Sequence, residues 1–381
     1  MILLVVTALW TAAYVAMVVW LLQGWRCLPE SHVPPGFVPD VSVAVIVPAR
    51  DEEENIQRCL ESLRQQLYPK ELLDVIVVND HSTDSTLAIP QAFSTKHGFK
   101  VIDLKDHVPP ATDIRSYKKL AIETAVRSTE ASIIVTLDAD CTVDLNWLVT
   151  LVAALKKSGD VCVLGPVMIE ASNDFFSQIQ ALDVASLTGV AAATAGWDKP
   201  LVANGANMCF TRKAYLDVNG LVESQRITSG DDMFLLQKFV KAFPNKITYC
   251  KSPEAVVYTK ACPDFVSFFN QRLRWASKSG RFKDVRTLAV VLFVYFFDVL
   301  LLVNAAMAVN SKWHFNVFLG QLLVKCFADI FFLKDVVTFF NRRHLLDLFL
   351  PTQLFRLVYV VLTGIGAWIV PVKWKGRKVF R

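Results

Sequence analysis

Ile133-Ile134-Val135-Thr136-Leu137-Asp138-Ala139-Asp140 is the stretch on which the reading of this chain turns. Five apolar or β-branched residues in succession read as a strand buried on both faces. Two carboxylates one residue apart follow it directly. In open α/β sheets, ligands bind just beyond the carboxyl ends of the strands. An Asp-x-Asp in that position can offer oxygen to a hard divalent cation, which in turn grips a diphosphate. An isolated Asp-x-Asp can equally be an acidic turn, so the neighbouring segments decide its meaning.

Two further apolar runs end in acids. Residues 41–47 lead into Pro48-Ala49-Arg50-Asp51-Glu52, and residues 75–78 lead into Asn79-Asp80-His81-Ser82. A helical pattern follows the first run, with Ile56, Leu60, Leu63 and Leu67 on one face, and residues 121–126 form another before the Asp138 strand. Strand–helix alternation of this kind predicts parallel βαβ units, with the three acidic ends on one edge of one sheet. Taken singly, Asp51 or Asp80 would be a cap or turn acid. No Gly-x-Gly-x-x-Gly and no phosphate-loop sequence occurs, which speaks against a dinucleotide enzyme or an ordinary ATPase.

The 381 residues are 53% hydrophobic with a mean hydropathy of +0.38, too apolar for a soluble protein of this size. The excess is concentrated. Residues 2–22 form an uncharged stretch of bilayer-spanning length without a basic leader or a cleavage site, which predicts an anchor over residues 1–23. Residues 288–309, 315–333 and 348–370 are further membrane segments, giving a C-terminal membrane region of two to three helices over 287–371. Residues 40–285 then form the water-soluble α/β domain, and 372–381 a basic tail.

The net charge is +5, with bases gathered beside the membrane segments at Lys278, Arg281, Lys283 and Arg286, at Arg342 and Arg343, and in the tail. Juxtamembrane bases mark the cytoplasmic side and contact with anionic lipid. No basic stripe interleaved with aromatics occurs in the soluble part, which excludes nucleic acid as an expected partner. The eight cysteines lack Cys-x-x-Cys or zinc spacing, as expected of reduced thiols in the cytosol.

Three crossings after a cytosolic domain would put the basic tail outside, so one of the three C-terminal segments is expected not to span. Residues 315–333, which carry Lys325 and Asp329 four apart, are the first candidate. Pro351 and Arg356 make the last segment an alternative. Residues 173–195, with Gln178, Gln180 and Asp183 among Phe and Leu, read as an amphipathic surface helix or as a groove-lining core helix.

The second half of the site follows. Ser229-Gly230-Asp231-Asp232 precedes the amphipathic spacing Leu235, Leu236, Phe239, Val240. Ser229 and Asp232 form a capping-box arrangement. A carboxylate at this helix start can also face the crevice and take a proton from an acceptor hydroxyl. Gln271, Arg274 and Trp275 share one helical face, where an Arg fork suits a diphosphate and an indole suits a sugar ring. A basic membrane-proximal helix with an interfacial Trp is the plainer alternative.

Pro48-Ala49-Arg50-Asp51-Glu52, Asn79-Asp80, Asp138-Ala139-Asp140, Gly230-Asp231-Asp232 and Gln271-x-x-Arg274-Trp275, in this order, resemble a membrane-bound family 2 glycosyltransferase. The resemblance is to the cellulose, chitin, hyaluronan and poly-N-acetylglucosamine synthase branch and its lipid-glycosylating relatives, over residues 40–285. It implies a GT-A fold, an α/β Rossmann-like nucleotide-diphospho-sugar transferase domain flanked by transmembrane helices. It also implies that Asp80 reads the base beside Asp51 and Glu52, and that Asp138 and Asp140 bind the sugar diphosphate and a Mg²⁺ or Mn²⁺ ion, Asp140 being the direct ligand. Asp232 would be the general base, with Asp231 beside it. Lys118 or Lys119 would approach the donor phosphates. Gln271 and Arg274 would close over the diphosphate, and Trp275, Gly205 and Asn207 would line the acceptor end.

Asp231 stands where the family carries Glu, and the chain has fewer membrane segments than the large polymer-threading synthases. The tail resembles the Trp-Gly-Thr-Arg element of hyaluronan-type synthases, which would bring Trp374 and Arg377 over the active site. The expected activity is inverting, metal-dependent transfer from a nucleoside diphosphate sugar, of the UDP class, to a lipid or glycan hydroxyl. It would take place at the cytoplasmic face of a bacterial inner-membrane or plasma-membrane type bilayer. The alternatives are a processive β-glycan synthase and a catalytically silent sugar-nucleotide-binding scaffold of a polysaccharide-export complex.

Overall fold

The computed structural model describes residues 2–107, 116–222, 230–278, 284–371, 373–375 and 377–378. Ser229, Arg281 and Lys283, named above, lie outside the described residues. The chain forms two compact units. One contains residues 28–170, 195–260 and the tail from 373; the other contains residues 1–27, 171–194 and 261–372. The sequence boundary at 285 divides the chain differently, because residues 171–194 and 261–278 belong with the membrane-type helices.

The first unit is built from β1 (Val43–Ala49), α2 (Ile56–Arg64), β2 (Leu73–Asn79), α3 (Ala88–His97), β3 (Lys100–Asp103), α4 (Tyr117–Arg127), β4 (Ile133–Thr136), β5 (Cys141–Val143), α5 (Trp147–Ser158), β6 (Cys162–Leu164), β7 (Val167–Ile169), β8 (Met208–Thr211), α7 (Arg212–Asp217), α8 (Asp231–Ala242), β9 (Ile247–Tyr249) and β10 (Val257–Thr259). The helix α1 precedes them at Ile2–Cys27, and α6 (Phe175–Gly196) interrupts them. Seven strands form one sheet in the order β3-β2-β1-β4-β8-β6-β9. Strands β3, β2, β1 and β4 run parallel, and β8 is antiparallel to both β4 and β6. The chain winds from β1 outward to β3 and returns to the other side of β1 as β4. The topological switch point therefore lies between β1 and β4, where an open α/β sheet opens a crevice.

The apolar runs are continuous because both sheet faces are covered. Val43, Val45, Val47, Val75, Val77 and Val135 pack on one face with Ile56, Leu60 and Leu63 of α2 and Trp147 and Leu151 of α5. The alternate residues Ala44, Ile46, Ile76 and Ile134 are fully buried on the other face, where α4 packs on β1 and β2. Each such aliphatic side chain contributes about 1.5–3 kcal/mol on burial. Leu67, expected on the α2 face, lies beyond the helix end at Arg64 and is largely exposed.

The second unit contains α1, all of α6 but its last two residues, and α9 (Phe265–Ser277), α10 (Val285–Ala308), α11 (Lys312–Phe339) and α12 (Phe349–Ile369). Among the described residues, four helical segments are long and apolar enough to cross a membrane: Ile2–Cys27, Val285–Ala308, Lys312–Phe339 and Arg343–Ile369. Leu323, Phe327 and Phe331 form an exposed apolar stripe on α11. On the opposite face of α11, Lys325 and Asp329 are buried and paired. Lys325 donates to Asp329 at 2.7 Å and to Gln353, and Tyr14 of α1 donates to Asp329 at 2.8 Å. The Lys325–Asp329 pair thus faces the bundle, and these residues do not mark α11 as the segment that fails to span. Gln180 and Asp183 are buried as well, so one face of α6 lines the core of this unit, while Phe175 and Leu187 of the same helix are exposed.

Candidate active site

The parallel strands deliver their acids to one end of the sheet. Backbone strain marks the first two ends: Asp51 after β1 and His81 after β2 have φ of 47° and 52°, a region that residues with a Cβ occupy only when their surroundings enforce it. The enforcement is a lattice of hydrogen bonds. Asp80 N–H donates to Ala49 O at 2.7 Å, and Asp51 N–H to Ser82 Oγ at 3.1 Å. Asp51 Oδ1 accepts from Thr83 N–H at 2.8 Å, and Arg50 Nη1 donates to the Asp80 carbonyl at 2.9 Å. These contacts stitch the two strand ends together.

Asp80 is buried, with 3% of its side chain exposed. Burial raises its carboxyl above the usual range, while Arg377 chiefly, then His81 and Arg50, pull it back. His81 Nδ1 lies 3.1 Å from Asp80 Oδ1, and its ring stands edge-on to Tyr117 at 5.0 Å. Arg377 comes from the short hairpin of β11 (Lys373–Trp374) and β12 (Arg377–Lys378). Its guanidinium donates to both Asp80 oxygens, at 2.8 and 2.9 Å, and lies over the Tyr117 ring at 4.1 Å. Lys375 of the same hairpin donates to Glu52 and to the carbonyls of Arg50 and Asp51. Side chains of Lys373, Trp374 and Lys378 lie outside the described residues.

Across the switch point, Lys118 at the start of α4 binds Asp138 Oδ1 at 2.7 Å and approaches Asp231 Oδ2 at 3.3 Å. Burial opposes the lysine's charge, but Asp138 and then Asp231 outweigh it and hold the ammonium protonated. Lys119 points elsewhere: it is fully buried over the Phe234 ring at 4.5 Å. Of the two lysines read from the sequence, Lys118 is the one at the carboxylates. Asp140 is pushed up to about 6 by burial, then by Asp138 and Glu52. Cys141 Sγ lies 3.4 Å from its Oδ1 and Thr259 Oγ1 3.3 Å from its Oδ2. Such crowding of carboxylates at low solvation is a setting that a cation relieves.

Asp231 and Asp232 open α8. Its N-cap is Gly230 at φ 85°, a left-handed conformation suited to glycine. Asp232 Oδ1 accepts from Met233 N–H at 2.7 Å, and two acids in the first turn sit favourably at the positive end of the helix dipole. Gly205 faces them closely: a Cβ there would come within 2.9 Å of Asp231 Oδ2. The structure therefore brings Lys118, Asp138, Gly205, Asp231 and Asp232 together.

Asn207 is a correction. Its amide donates to Pro166 O and Ala255 O, both at 2.8 Å, and its Oδ1 accepts from Trp147 Nε1 at 3.1 Å. Both N–H donors are used in the core, the oxygen accepts one bond there, and the residue is 1% exposed. It braces the strand beside the site, with both amide N–H groups engaged in the core. Gln271, Arg274 and Trp275 lie together in the second unit on α9, which Asp264 caps by accepting from Ser267 N–H at 2.7 Å. Sequence reasoning passed over Tyr117, and it assigned no role of their own to His81 and Lys375, which lie within the strand end and the tail that it singled out.

Among the described residues, no cluster of three or more His, Cys, Asp or Glu is arranged to enclose a metal by itself. Asp138 and Asp140 nonetheless fit a Mg²⁺ or Mn²⁺ ion. Such ions are commonly held through one or two carboxylates, with substrate phosphates completing the shell.

The half-parallel sheet, its switch-point crevice and the acids gathered there have the layout of a ligand site of an open α/β sheet. Residues 44–190 match the family model described as glycosyl transferase family 2, and residues 133–370 match that described as glycosyl transferase family group 2. The second match spans more than half of the chain, which thus belongs to glycosyltransferase family 2.

Glycosyltransferase AglE of Haloferax volcanii is 31% identical over 157 residues, 39% of this chain and 49% of that protein. The chain thus spans about half the length of that relative. Poly-beta-1,6-N-acetyl-D-glucosamine synthase of Staphylococcus epidermidis is 23% identical over 78% of this chain and 72% of its own. The mannosyltransferase PcManGT of Pyrobaculum calidifontis, solved in complex with GDP-Man and Mn²⁺, superposes with a TM-score of 0.60. It covers 96% of this chain and 99% of its own at 17% identity, a likeness of fold.

Proposed function

We propose that this enzyme transfers a sugar, with inversion, from a nucleoside diphosphate sugar to a lipid or glycan hydroxyl at the cytoplasmic face of a membrane. The observation that carries the reading is the cluster in which Lys118 joins Asp138 to Asp231, at 2.7 and 3.3 Å, beside Asp232. It sets a cation for the donor phosphates next to a carboxylate able to serve as base. Asp80 and the strained strand ends around it form the pocket for the base of the donor. Asp138 and Asp140 would hold Mg²⁺ or Mn²⁺, which when bound neutralises the departing diphosphate. Lys118 adds a fixed positive charge on that side.

Asp232 takes the proton from the acceptor hydroxyl as that oxygen attacks the anomeric carbon. Attack by the hydroxyl on the anomeric carbon, opposite the departing diphosphate, is a single displacement and inverts that carbon. Gln271, Arg274 and Trp275 close over the donor and the acceptor. The test is release of nucleoside diphosphate by the purified protein over a panel of UDP- and GDP-sugars, with and without Mn²⁺. No turnover of any donor under either condition rejects the reading and favours the silent scaffold. The similarity to a poly-N-acetylglucosamine synthase over most of both chains favours a processive variant of the same chemistry, which product length would distinguish.

A further inference from the structure

Between Gln271 and Arg274 lies a residue that the motif reading passes over. Arg272 is 5% exposed, and its guanidinium makes two directed contacts: Nη2 to Asp183 Oδ2 at 2.6 Å and Nη1 to Gln271 Oε1 at 2.8 Å. Its plane also lies over the rings of Trp275 at 4.2 Å and Phe268 at 4.5 Å. The same group therefore holds the first and last residues of the Gln271–Trp275 motif at once.

Its anchor is equally definite. Asp183 is 3% exposed, and its other oxygen accepts from Tyr359 of α12 at 2.6 Å. One turn earlier on α6, Gln180 clasps the backbone of Cys262, donating to its carbonyl at 3.0 Å and accepting from its N–H at 2.9 Å. Another turn back, the Phe176 ring meets Phe268 edge-on at 5.7 Å. Phe176, Gln180 and Asp183 share one helical face, so α6 grips α9 and its entry at three levels.

Magnitudes argue against stability as the purpose. A buried ion pair is commonly no better for stability than apolar residues of the same volume, because desolvation offsets the attraction. What a planar guanidinium supplies that Leu or Met cannot is direction: a fixed fork for Gln271 and a fixed plane for Trp275. We propose that Arg272 is a positioning residue for sugar transfer, acting through Gln271 and Trp275, and that Asp183 with Tyr359 forms the anchor that fixes it. The inference rests on the reading above that this helix closes over donor and acceptor.

The test uses the full-length protein in detergent and follows nucleoside diphosphate release, the thermal midpoint and Mn²⁺ binding. Arg272→Lys keeps the charge for Asp183 but cannot hold Gln271 and the Trp275 plane together. We expect kcat to fall on the order of tenfold to a hundredfold, with the thermal midpoint and Mn²⁺ affinity unchanged. Combined with Gln271→Ala, it should add less than its own separate loss, since both act at one point. Tyr359→Phe, which deletes one hydroxyl, gives a milder loss in the same direction and serves if Arg272→Lys does not fold. A kcat within twofold of wild type in both variants overturns the inference, as does full additivity with Gln271→Ala. Wild type that turns over donor while these variants are indifferent leaves the transferase reading standing. Wild type without turnover removes both.

Discussion

Arg377 reaches both carboxylate oxygens of Asp80 with a single guanidinium nitrogen, at 2.8 and 2.9 Å, across 297 positions of sequence. The C-terminal hairpin is thereby fastened at the pocket proposed for the donor's base. Each carboxylate oxygen has a second lone pair, so Asp80 can hold Arg377 and still accept from a base. Lys375 of the same hairpin meets Glu52, behind β1.

The first prediction follows from the charges that this hairpin offsets. Without it, Asp51, Glu52, Asp80, Asp138 and Asp140 would meet an anionic donor without the charges of Lys375 and Arg377. Deleting residues 372–381 should weaken binding of Mn²⁺–nucleoside diphosphate by roughly tenfold or more, since charge-assisted contacts are each worth about 1.5–3 kcal/mol. Calorimetric titration of the truncated, membrane-extracted protein checks this. Undiminished affinity would leave the tail no part in the donor site.

Metal dependence comes next. Asp138 and Asp140 present only oxygen, which suits Mg²⁺ or Mn²⁺. Exhaustive chelation should abolish turnover, and Mn²⁺ should restore it. Asp140→Asn should lower kcat by on the order of a hundredfold or more while the protein still inserts and keeps its thermal midpoint. Turnover that persists after chelation would remove the ion from the mechanism.

Asp231 and Asp232 should separate by substitution. Asn retains much of the helix-start character of Asp but cannot act as a base. Asp232→Asn should stay within ~1 kcal/mol of wild-type stability and lose about 10²–10⁴-fold in kcat. Asp231→Asn removes an ion-pair partner from Lys118, so its main effect should be a raised donor KM. A reversal of these two phenotypes in steady-state kinetics would reassign the base to Asp231.

What was legible in the chain is what burial and periodicity write locally. Strands buried on both faces appear as unbroken runs such as Val43–Ala49, and acids placed directly behind them belong to the crevice edge. Side-chain direction within a loop or a helix start is not written there. Lys118 and Lys119 are adjacent and identical in type, yet one meets Asp138 and the other a phenylalanine ring. Asn207 is expected at the acceptor end on the family resemblance alone; only the positions of Pro166, Ala255 and Trp147 reveal how its amide is engaged. The Asp183–Arg272 pair joins residues 89 apart with no local pattern to link them.

The last prediction concerns how many helices cross the bilayer. The contact of Arg377 with Asp80 puts the tail on the same side as the α/β unit. Three helical segments separate them, Val285–Ala308, Lys312–Phe339 and Arg343–Ile369, and each is long and apolar enough to span. Three full crossings would carry the tail to the opposite side, so an even number of these segments is expected to cross. The buried Lys325–Asp329 pair does not choose among them, because its charges are satisfied inside the bundle. A cysteine at position 380, Phe380→Cys, in a variant cleared of its accessible native thiols, should resist an impermeant maleimide in intact cells and react after permeabilisation. Basic residues near anionic headgroups, each contributing ~1 kcal/mol, would favour the same side independently of the Asp80 contact. Labelling in intact cells would place the tail outside and, with the α/β unit shown to be inside by the same method, would break the Arg377–Asp80 contact as a feature of the membrane-embedded enzyme.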